Sequence, residues 1–387
     1  MKISLFELIN KKGNLRKLKN FLNLNTLRIL RKLNILKIHK PKINFVTERA
    51  NWSIKWDGLY IKKYINQRSK ESLFDISNIP LINSDPKVIH FGSQYMWVDW
   101  KNLLPKRNKY IVSFFHGKYE DGIEARKHID AFIDSKDDLF KVITASTLIC
   151  NRLKKWGIPE SKLTLIPIGV DTNLFSIPSI SDKKTIRKKL GLKENEVIIG
   201  SFQKDGVGWS DGNIPKYIKG PDLFIESVDL ISKDIPITIL LTGPARGYIK
   251  NELKKRKIKF KHFYLKSYKE IVDFYHALDL YIISSREEGG PKAIVEAMAS
   301  GVPIVSTNVG MANDFIVDRK NGGLVKNFEP NYIAKKSIEI INHPCRDNLI
   351  KQARLDVMKA DWKVVGEMHW QNAYYPALKD LNQKNLF

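Results

Sequence analysis

The segment SSREEGGPKAIVEAMASG, residues 284–301, combines residue types that bind polar ligands. Glu288 and Glu296 have seven residues between them, with Gly289–Gly290 in a turn and Pro291 at the first predicted helical position. A helix start presents unpaired N–H groups and a positive dipole end, so it attracts phosphates or sugar hydroxyls. Because hydroxyls form charge-assisted bonds to carboxylates, the two glutamates can hold different parts of one extended ligand. The pattern alone fits equally well a helix whose acids only complement its dipole.

Short apolar runs alternate with helical patterns along the chain. We interpret the runs as strands buried on both faces, as parallel strands are. They are INFV (43–46), VIHF (88–91), YIVSFF (110–115), KVITA (141–145) and TLIPIGVD (164–171), then VIIGSF (197–202), ITILLTG (237–243), FKHFYL (260–265), LYIISS (280–285) and PIVST (303–307). Helical patterns fall between the later runs, at residues 221–231, 268–278 and 293–300.

Two successive alternations predict an α/β fold with two doubly wound, Rossmann-like parallel-sheet domains. Residues 171–184 lack a clear period and contain a proline, so we place the linker there. We expect an N-terminal domain over 43–180 and a C-terminal domain over 181–365. A last helix, 366–387, is predicted to pack back on the first domain. Ligands of such sheets bind beyond the carboxyl ends of the strands, which predicts a site in a cleft between two facing sheets.

Composition narrows the function class. No run approaches the roughly 18–20 apolar residues of a membrane-spanning helix, and the amino terminus lacks a secretory signal. The two cysteines, Cys150 and Cys345, have no metal-like or redox-like spacing. A cytoplasmic protein is therefore expected. The net charge of +25 fits an anionic partner, but no nucleic-acid-binding module is present, so we do not expect nucleic acid.

The positive charge is concentrated in residues 1–42, which hold twelve basic residues against one glutamate. Within 14–39, leucines and isoleucines recur at helical spacing with lysines and arginines between them. Such a basic amphipathic extension can lie on an anionic membrane surface, at the inner face of the plasma membrane. The alternative is that these helices pack on the globular body.

The motif around Glu288 resembles a known signature. EGGPKAIVEAMASGVPIV (288–305) is similar to the EG-x-P-x-x-x-x-EAMA-x-G-x-P-V/I-V pattern of the retaining glycosyltransferases of GT-B fold, family 4 type (glycosyl transferases group 1). The resemblance continues in PIGVDTNLF (167–175), KGPDLFIES (219–227) and VPIVSTNVGMANDFIVDRKNGGLV (302–325), and it spans roughly residues 110–330. It implies the GT-B fold, with an acceptor-side N-terminal domain and a C-terminal domain that binds a nucleotide sugar.

The resemblance also implies roles for individual residues. Glu288 would accept hydrogen bonds from hydroxyls of the donor sugar, and Glu296 would hold the ribose hydroxyls. Backbone N–H groups of Gly289, Gly290, Pro291 and Lys292 would meet the sugar and the diphosphate. Lys219, before the KG-x-D helix, would neutralise the diphosphate.

The chain departs from the family pattern after the first strand of the second domain. The family commonly has an arginine there, whereas this sequence has SFQKDG, in which Gln203 carries no charge. We predict that Lys204 substitutes for it, as a point charge rather than a bidentate fork. An inserted loop, Asp205–Tyr217, separates Lys204 from Lys219.

Two features of the first domain complete the predicted site. His116 follows the strand 110–115 and matches a family histidine near the donor sugar, although a lone histidine is more often structural. After INFV, the family's glycine-rich loop is replaced by TERANWSIKWDG (47–58). Trp52, Trp56 and Asp57 in it suit a sugar ring, or form a packed loop.

The implied activity is transfer of a sugar from a nucleotide-diphosphate donor to a glycan or lipid-linked acceptor, with retention of anomeric configuration. Cell-surface polysaccharide or glycolipid synthesis is the expected setting. The donor is a co-substrate, so no cofactor is expected, and no Asp-x-Asp pair implies a metal. The alternatives are a GT-B sugar-nucleotide epimerase or hydrolase, and a catalytically silent GT-B scaffold.

Overall fold

The computed structural model describes residues 42–48, 53–69, 72–82, 85–208 and 210–384. The basic helices predicted within 14–39 lie outside these ranges, as does Trp52. Among the described residues, no helix has both the length and the apolar character needed to cross a membrane.

The chain divides into two compact units. The first contains the described parts of Met1–Thr144, Arg152–Ile166 and Gly366–Phe387; the second contains Ala145–Asn151 and Pro167–Val365. The last segment of the chain therefore belongs to the same unit as the first strands.

A parallel sheet of six strands forms the centre of the first unit, in the order β2-β1-β3-β4-β5-β6. Its strands are β1 (Ile43–Val46), β2 (Phe74–Ser77), β3 (Val88–Phe91), β4 (Lys109–Ser113), β5 (Leu139–Thr144) and β6 (Leu163–Leu165). Both β1 and β3 are buried along their whole length, as apolar strands covered on both faces must be. The helices between the strands are α1 (Ser53–Asn66), α2 (Gln94–Trp100), α3 (Ile123–Ile133) and α4 (Thr147–Lys155).

The second unit repeats this architecture with the strand order β12-β11-β10-β7-β8-β9, all parallel. The strands are β7 (Val197–Ser201), β8 (Ile237–Thr242), β9 (Lys259–Phe263), β10 (Leu280–Ile283), β11 (Ile304–Thr307) and β12 (Gly323–Val325). The helices are α5 (Ile180–Lys189), α6 (Pro221–Asp234), α7 (Gly247–Lys255), α8 (Ile271–His276), α9 (Lys292–Ala299), α10 (Ala312–Phe315), α11 (Pro330–Ile341) and α12 (Arg346–Val357). The predicted α/β fold with two doubly wound parallel sheets is confirmed.

Two further helices follow, α13 (Trp362–His369) and α14 (Tyr375–Lys384). The boundary between the two units falls within α13, between Val365 and Gly366. Between them, Tyr374 is fully buried in the first unit. Its hydroxyl lies 2.7 Å from His90 Nδ1 on β3, and its ring packs edge-on against Phe74 of β2. Ser113 of β4 lies 2.9 Å from the other nitrogen of His90, which completes a buried polar network.

Several predicted elements differ in detail. The strands β2 and β12 were not predicted, and both lie at sheet edges. The segment 47–58 was predicted as a loop, yet α1 begins at Ser53, so Trp56 and Asp57 are helical and Asp57 is buried. Pro291 was predicted as the first helical residue. It instead caps α9 in an extended conformation, and Lys292 is the first helical residue.

Candidate functional site

The candidate site lies where the strand order of the second unit reverses. The strand β7 lies between β8 and β10. After β7 the chain continues to β8 and β9 on one side of it, and after β10 it continues to β11 and β12 on the other side. The register pairs Ile199 with Leu280 and Gly200 with Tyr281, which brings the loops after both strands level with each other. Such a switch point opens a crevice beyond the carboxyl ends of the strands, where doubly wound sheets bind ligands.

Glu288 and Lys219 meet in this crevice. Lys219 Nζ donates to Glu288 Oε1 at 2.6 Å, and Ser285 Oγ donates to the same oxygen at 2.9 Å. The two charged side chains are 12% and 24% exposed, so the ion pair is largely shielded from solvent. Two residues predicted for one site therefore come together, although they are 69 positions apart in the chain.

Gln203 joins the two loops that carry this pair. Its Nε2 donates to the backbone oxygen of Lys219 at 2.9 Å, and its Oε1 accepts from Ser285 Oγ at 3.3 Å. The neutral amide can donate and accept at once, which a guanidinium cannot. The residue at the position of the family's arginine thus fixes the loops and leaves the charge to other residues.

The turn before α6 needs a glycine. Gly220 has a φ of +59°, and a Cβ placed on it would lie 1.9 Å from the backbone oxygen of Ser284. Ser284 Oγ donates to the backbone oxygen of Gly220 at 2.8 Å. Only a residue without a side chain permits this close approach, which sets Lys219 beside the end of β10.

Arg286 and Asp222 reinforce the same junction. The guanidinium of Arg286 bonds both carboxylate oxygens of Asp222, at 2.8 and 2.6 Å. Backbone N–H groups of Arg286 and Glu287 donate to the oxygen of Ile218. Bidentate pairs of this kind are geometrically specific, so they hold the loop that carries Glu288.

The inserted loop after Lys204 returns to the site as a hairpin. Val207 donates its N–H to the oxygen of Ile214 at 2.9 Å, and Lys216 donates its N–H to the oxygen of Asp205 at 2.7 Å. Lys216 was not predicted from the sequence, and this pairing sets it beside Lys204. Partial burial and the positive charges of Lys219 and Lys204 lower the pKa of Lys216, while the charge of Glu288 opposes that shift.

A buried ion pair anchors the hairpin. Asp205 and Arg246 have no exposed side-chain surface, and their carboxylate and guanidinium approach to 3.1 Å. Burial raises the pKa of Asp205 to about 6, although the neighbouring Arg246 acts in the opposite direction. Arg246 also donates to the backbone oxygen of Ser201, at the end of β7, at 2.7 Å. The start of the insertion is therefore tied to the strand it follows.

The start of α9 supplies the backbone of the predicted donor loop. Gly289 and Pro291 are buried, and Gly290 is half-buried. Pro291 has no N–H group, so it cannot donate to a ligand as the predicted role for this loop required. Lys292 directs its ammonium over two rings, 5.1 Å from the centre of Tyr268 and 5.9 Å from that of Trp362.

Glu296 is buried on the second turn of α9 and held by two tyrosines. The hydroxyl of Tyr268 donates to Oε1, and that of Tyr275 donates to Oε2 at 2.9 Å. Burial and the carboxylate of Glu296 raise the pKa of Tyr275 well above its usual value. A carboxylate has about four acceptor positions, so Glu296 can accept further hydrogen bonds while keeping both tyrosines.

His116 lies in the first unit. It follows β4 and is exposed, and its backbone oxygen accepts from Gln94 Nε2 at 2.9 Å. Tyr95 lies near it and stacks on His128 with ring centres 4.2 Å apart. Burial and the charge of His116 lower the pKa of His128 to about 4. Neither Tyr95 nor His128 was predicted from the sequence.

No group of three or more His, Cys, Asp or Glu side chains in the described ranges is arranged to hold a metal ion.

The chain is similar to several known proteins. Residues 182–356 match the sequence profile of the family described as glycosyl transferases group 1. The lipopolysaccharide core biosynthesis mannosyltransferase LpsB of Rhizobium meliloti is 32% identical over 162 residues, which are 40% of this chain and 42% of that protein. An Escherichia coli UDP-Gal:alpha-D-GlcNAc-diphosphoundecaprenol alpha-1,3-galactosyltransferase is 24% identical over 233 residues, 55% of this chain and 58% of that one. The chain thus aligns with less than two thirds of each relative.

A solved structure resembles the chain over a longer stretch. HepE of Anabaena, crystallised in complex with UDP and glucose, superimposes with a TM-score of 0.68 at 18% identity, covering 85% of this chain and 98% of HepE. A likeness at this identity concerns the fold. It confirms the predicted GT-B fold class.

Proposed function

We propose that the protein transfers a sugar from a nucleoside-diphosphate donor to a glycan or lipid-linked acceptor, with retention of anomeric configuration. The match of residues 182–356 to the glycosyl transferases group 1 profile supports this proposal. The observation that carries the proposal is the switch-point site. There Glu288 contacts Lys219, and the buried Glu296 lies on the helix that follows. A nucleotide sugar presents hydroxyls and phosphates to its binding site. Carboxylates accept hydrogen bonds from the hydroxyls, and ammonium groups pair with the phosphates.

Departure of the diphosphate limits such a reaction, so stabilising its charge is the main catalytic contribution. Lys219 and Lys204 supply positive charge at the crevice in our proposal, and the first turn of α9 adds its dipole. Because these groups are fixed before the donor arrives, little reorganisation accompanies the build-up of charge.

Glu288 and Glu296 orient the donor in this proposal. Glu288 accepts hydrogen bonds from hydroxyls of the sugar, and Glu296 accepts hydrogen bonds from the ribose hydroxyls. His116 contributes from the first unit, next to the sugar. We propose no covalent nucleophile among the carboxylates of the site. Attack from the same face as the leaving phosphate is the mechanism we propose for retention, without a metal.

The acceptor side rests on the relatives. LpsB is named for lipopolysaccharide core synthesis, and the Escherichia coli enzyme is named for a diphosphoundecaprenol-linked acceptor. We therefore propose an acceptor of the cell-surface glycan or glycolipid class. A cytoplasmic protein at the inner face of the plasma membrane, held by residues 1–42, has access to such acceptors. Vesicle pelleting of the full chain and of a chain starting at Lys42 tests this location; equal pelleting contradicts it.

Donor binding is the first test. We expect one or more sugar conjugates of UDP, GDP, ADP or dTDP to raise the unfolding temperature, because ligand at 100 times its dissociation constant adds about 2.7 kcal/mol of stability. Glu296→Ala should reduce that shift, and Lys219→Ala should reduce turnover most. No shift with any donor contradicts the proposed function. Release of free sugar or an isomer without an acceptor would indicate a hydrolase or epimerase instead.

A further inference from the structure

The hairpin inserted between β7 and α6 brings three lysines into one place. Its two arms pair through a bridge between Gly206 and Pro215 and through the bond from Lys216 N to Asp205 O. Lys204 and Lys216 are twelve positions apart in the chain, yet this pairing makes them neighbours. A tight turn follows, in which Lys219 donates its N–H to the oxygen of Lys216 at 2.8 Å.

The hairpin is fixed at its far end as well. The backbone oxygens of Asp211 and Gly212 accept the first two N–H groups of α7, at 2.6 and 2.9 Å. Asn251 donates from its side chain to Asn213 at 3.1 Å. Because both ends are held, the positions of the lysines are set before any ligand binds, and less ordering is needed on binding.

Positive charge is concentrated at this place. Lys219 pairs with Glu288, and the charges of Lys219, Glu288 and Lys204 all act on Lys216. Partial burial lowers the pKa of Lys216, and the two neighbouring ammonium groups lower it further, while Glu288 opposes the shift. A cluster of three lysines at a crevice formed by strand ends is suited to an anionic ligand.

We propose that Lys216 is a third diphosphate-binding residue, which the inserted hairpin adds to Lys204 and Lys219. The inference rests on the proposed function and names a contact within it. The diphosphate carries more negative charge after the sugar has left than before. The attraction between Lys216 and the diphosphate therefore increases as the leaving group forms, so Lys216 stabilises the transition state more than the bound donor.

Binding of nucleoside diphosphates and monophosphates tests this assignment. The wild type is first titrated with UDP, GDP and ADP by calorimetry, and the base that binds best is then used in its diphosphate and monophosphate forms. We compare Lys216→Gln, Lys216→Arg and Lys254→Gln, the last removing an exposed lysine of α7. Ligand-free unfolding curves establish that each variant is folded.

Lys216→Gln is expected to weaken diphosphate binding at least tenfold, since hydrogen bonds to charged groups have effects of this size. It should change monophosphate binding less than threefold. Lys216→Arg should retain most of the affinity, and Lys254→Gln should match the wild type. We further expect Lys216→Gln to weaken the diphosphate more than its sugar conjugate.

Two results overturn the assignment and leave the proposed function in place. One is an unchanged diphosphate affinity in Lys216→Gln while Lys219→Gln loses it. The other is an equal loss for monophosphate and diphosphate, which would locate the effect at the nucleoside. A wild type that binds none of the three diphosphates overturns the proposed function, and the role of Lys216 with it.

Discussion

Replacing Glu288 by glutamine should change the affinities for a nucleoside diphosphate and for its sugar conjugate in opposite directions. In the ligand-free protein, Glu288 neutralises Lys219 across 2.6 Å. Glutamine keeps the shape of the side chain but removes its charge, so Lys219 is left for the phosphates. The same change weakens the bonds from the sugar hydroxyls, because they lose a charged acceptor.

The magnitude follows from the geometry. A phosphate oxygen about 2.8 Å from Lys219 Nζ would lie roughly 5 Å from the Glu288 carboxylate. At an effective dielectric constant near 20, two unit negative charges at about 5 Å repel by about 3 kcal/mol. The side chains of Lys219 and Glu288 are 24% and 12% exposed, so solvent screening reduces this repulsion energy. We expect a gain of about 1–2 kcal/mol, or roughly five- to thirtyfold tighter diphosphate binding.

Isothermal titration calorimetry of the diphosphate and its sugar conjugate, on the wild type and Glu288→Gln, measures both changes. Glu194→Gln, at an exposed position of the same unit, is the control and should leave both affinities unchanged. An equal loss of affinity for the free diphosphate and for the conjugate in Glu288→Gln would refute this prediction. That result would mean that the carboxylate positions Lys219 rather than competing for it.

Three further predictions concern the supports of the site and the first unit. Gly220→Ala should lower the free energy of unfolding in urea by about 3 kcal/mol or more, because it adds backbone strain to a clash with the Ser284 oxygen; a loss below 1 kcal/mol would contradict the turn geometry. Tyr268→Phe removes one bond to Glu296 and should weaken nucleoside diphosphate binding roughly fivefold, by about 1 kcal/mol. Inorganic pyrophosphate has no ribose, so Tyr268→Phe should bind it as tightly as the wild type does. Equal weakening of both ligands would contradict the assignment of Glu296 to the ribose. Burial lowers the pKa of His369 to about 3, below the value of 6.5 in the unfolded chain, so the unfolded state gains the proton as pH falls. Urea unfolding of the wild type at pH 5 should therefore show about 2 kcal/mol of lost stability relative to pH 7 from this residue, and His369→Phe should abolish that part.

Most of the fold followed from apolar periodicity. Ten strands were predicted from short, largely apolar runs, which a parallel strand needs where both of its faces are covered. The missed strand Phe74–Ser77 buries only its first residue, so it lacks such a run. Gly323–Val325 has three residues, too few for a period. The loop prediction for 47–58 failed because α1 starts at Ser53, close behind the polar residues Glu48 and Arg49.

In the candidate site, too, residues within sequence motifs were predicted, and residues placed by contacts between distant segments were not. Glu288 and Glu296 were predicted through one contiguous motif, and Lys219 through the separate segment KGPDLFIES (219–227). Lys216 was not predicted, since only backbone pairing across the hairpin sets it beside Lys204. The tyrosines that hold Glu296 gave a weak signal in their spacing, because positions 268 and 275 are seven apart and share one side of a helix. Which carboxylate they meet depends on the packing of two separate elements.

The burial of Tyr374 against β2 and β3 has a consequence for biosynthesis. Its partner His90 is made 284 residues earlier, and at about 5–20 residues per second the ribosome needs roughly 15 to 60 seconds to cover that distance. During that interval the nascent first unit lacks the chain that covers the side of its sheet where His90 lies. The second unit is synthesised entirely within the same period, so it can fold first. The order in which the units mature is then the reverse of the order in which their strands emerge.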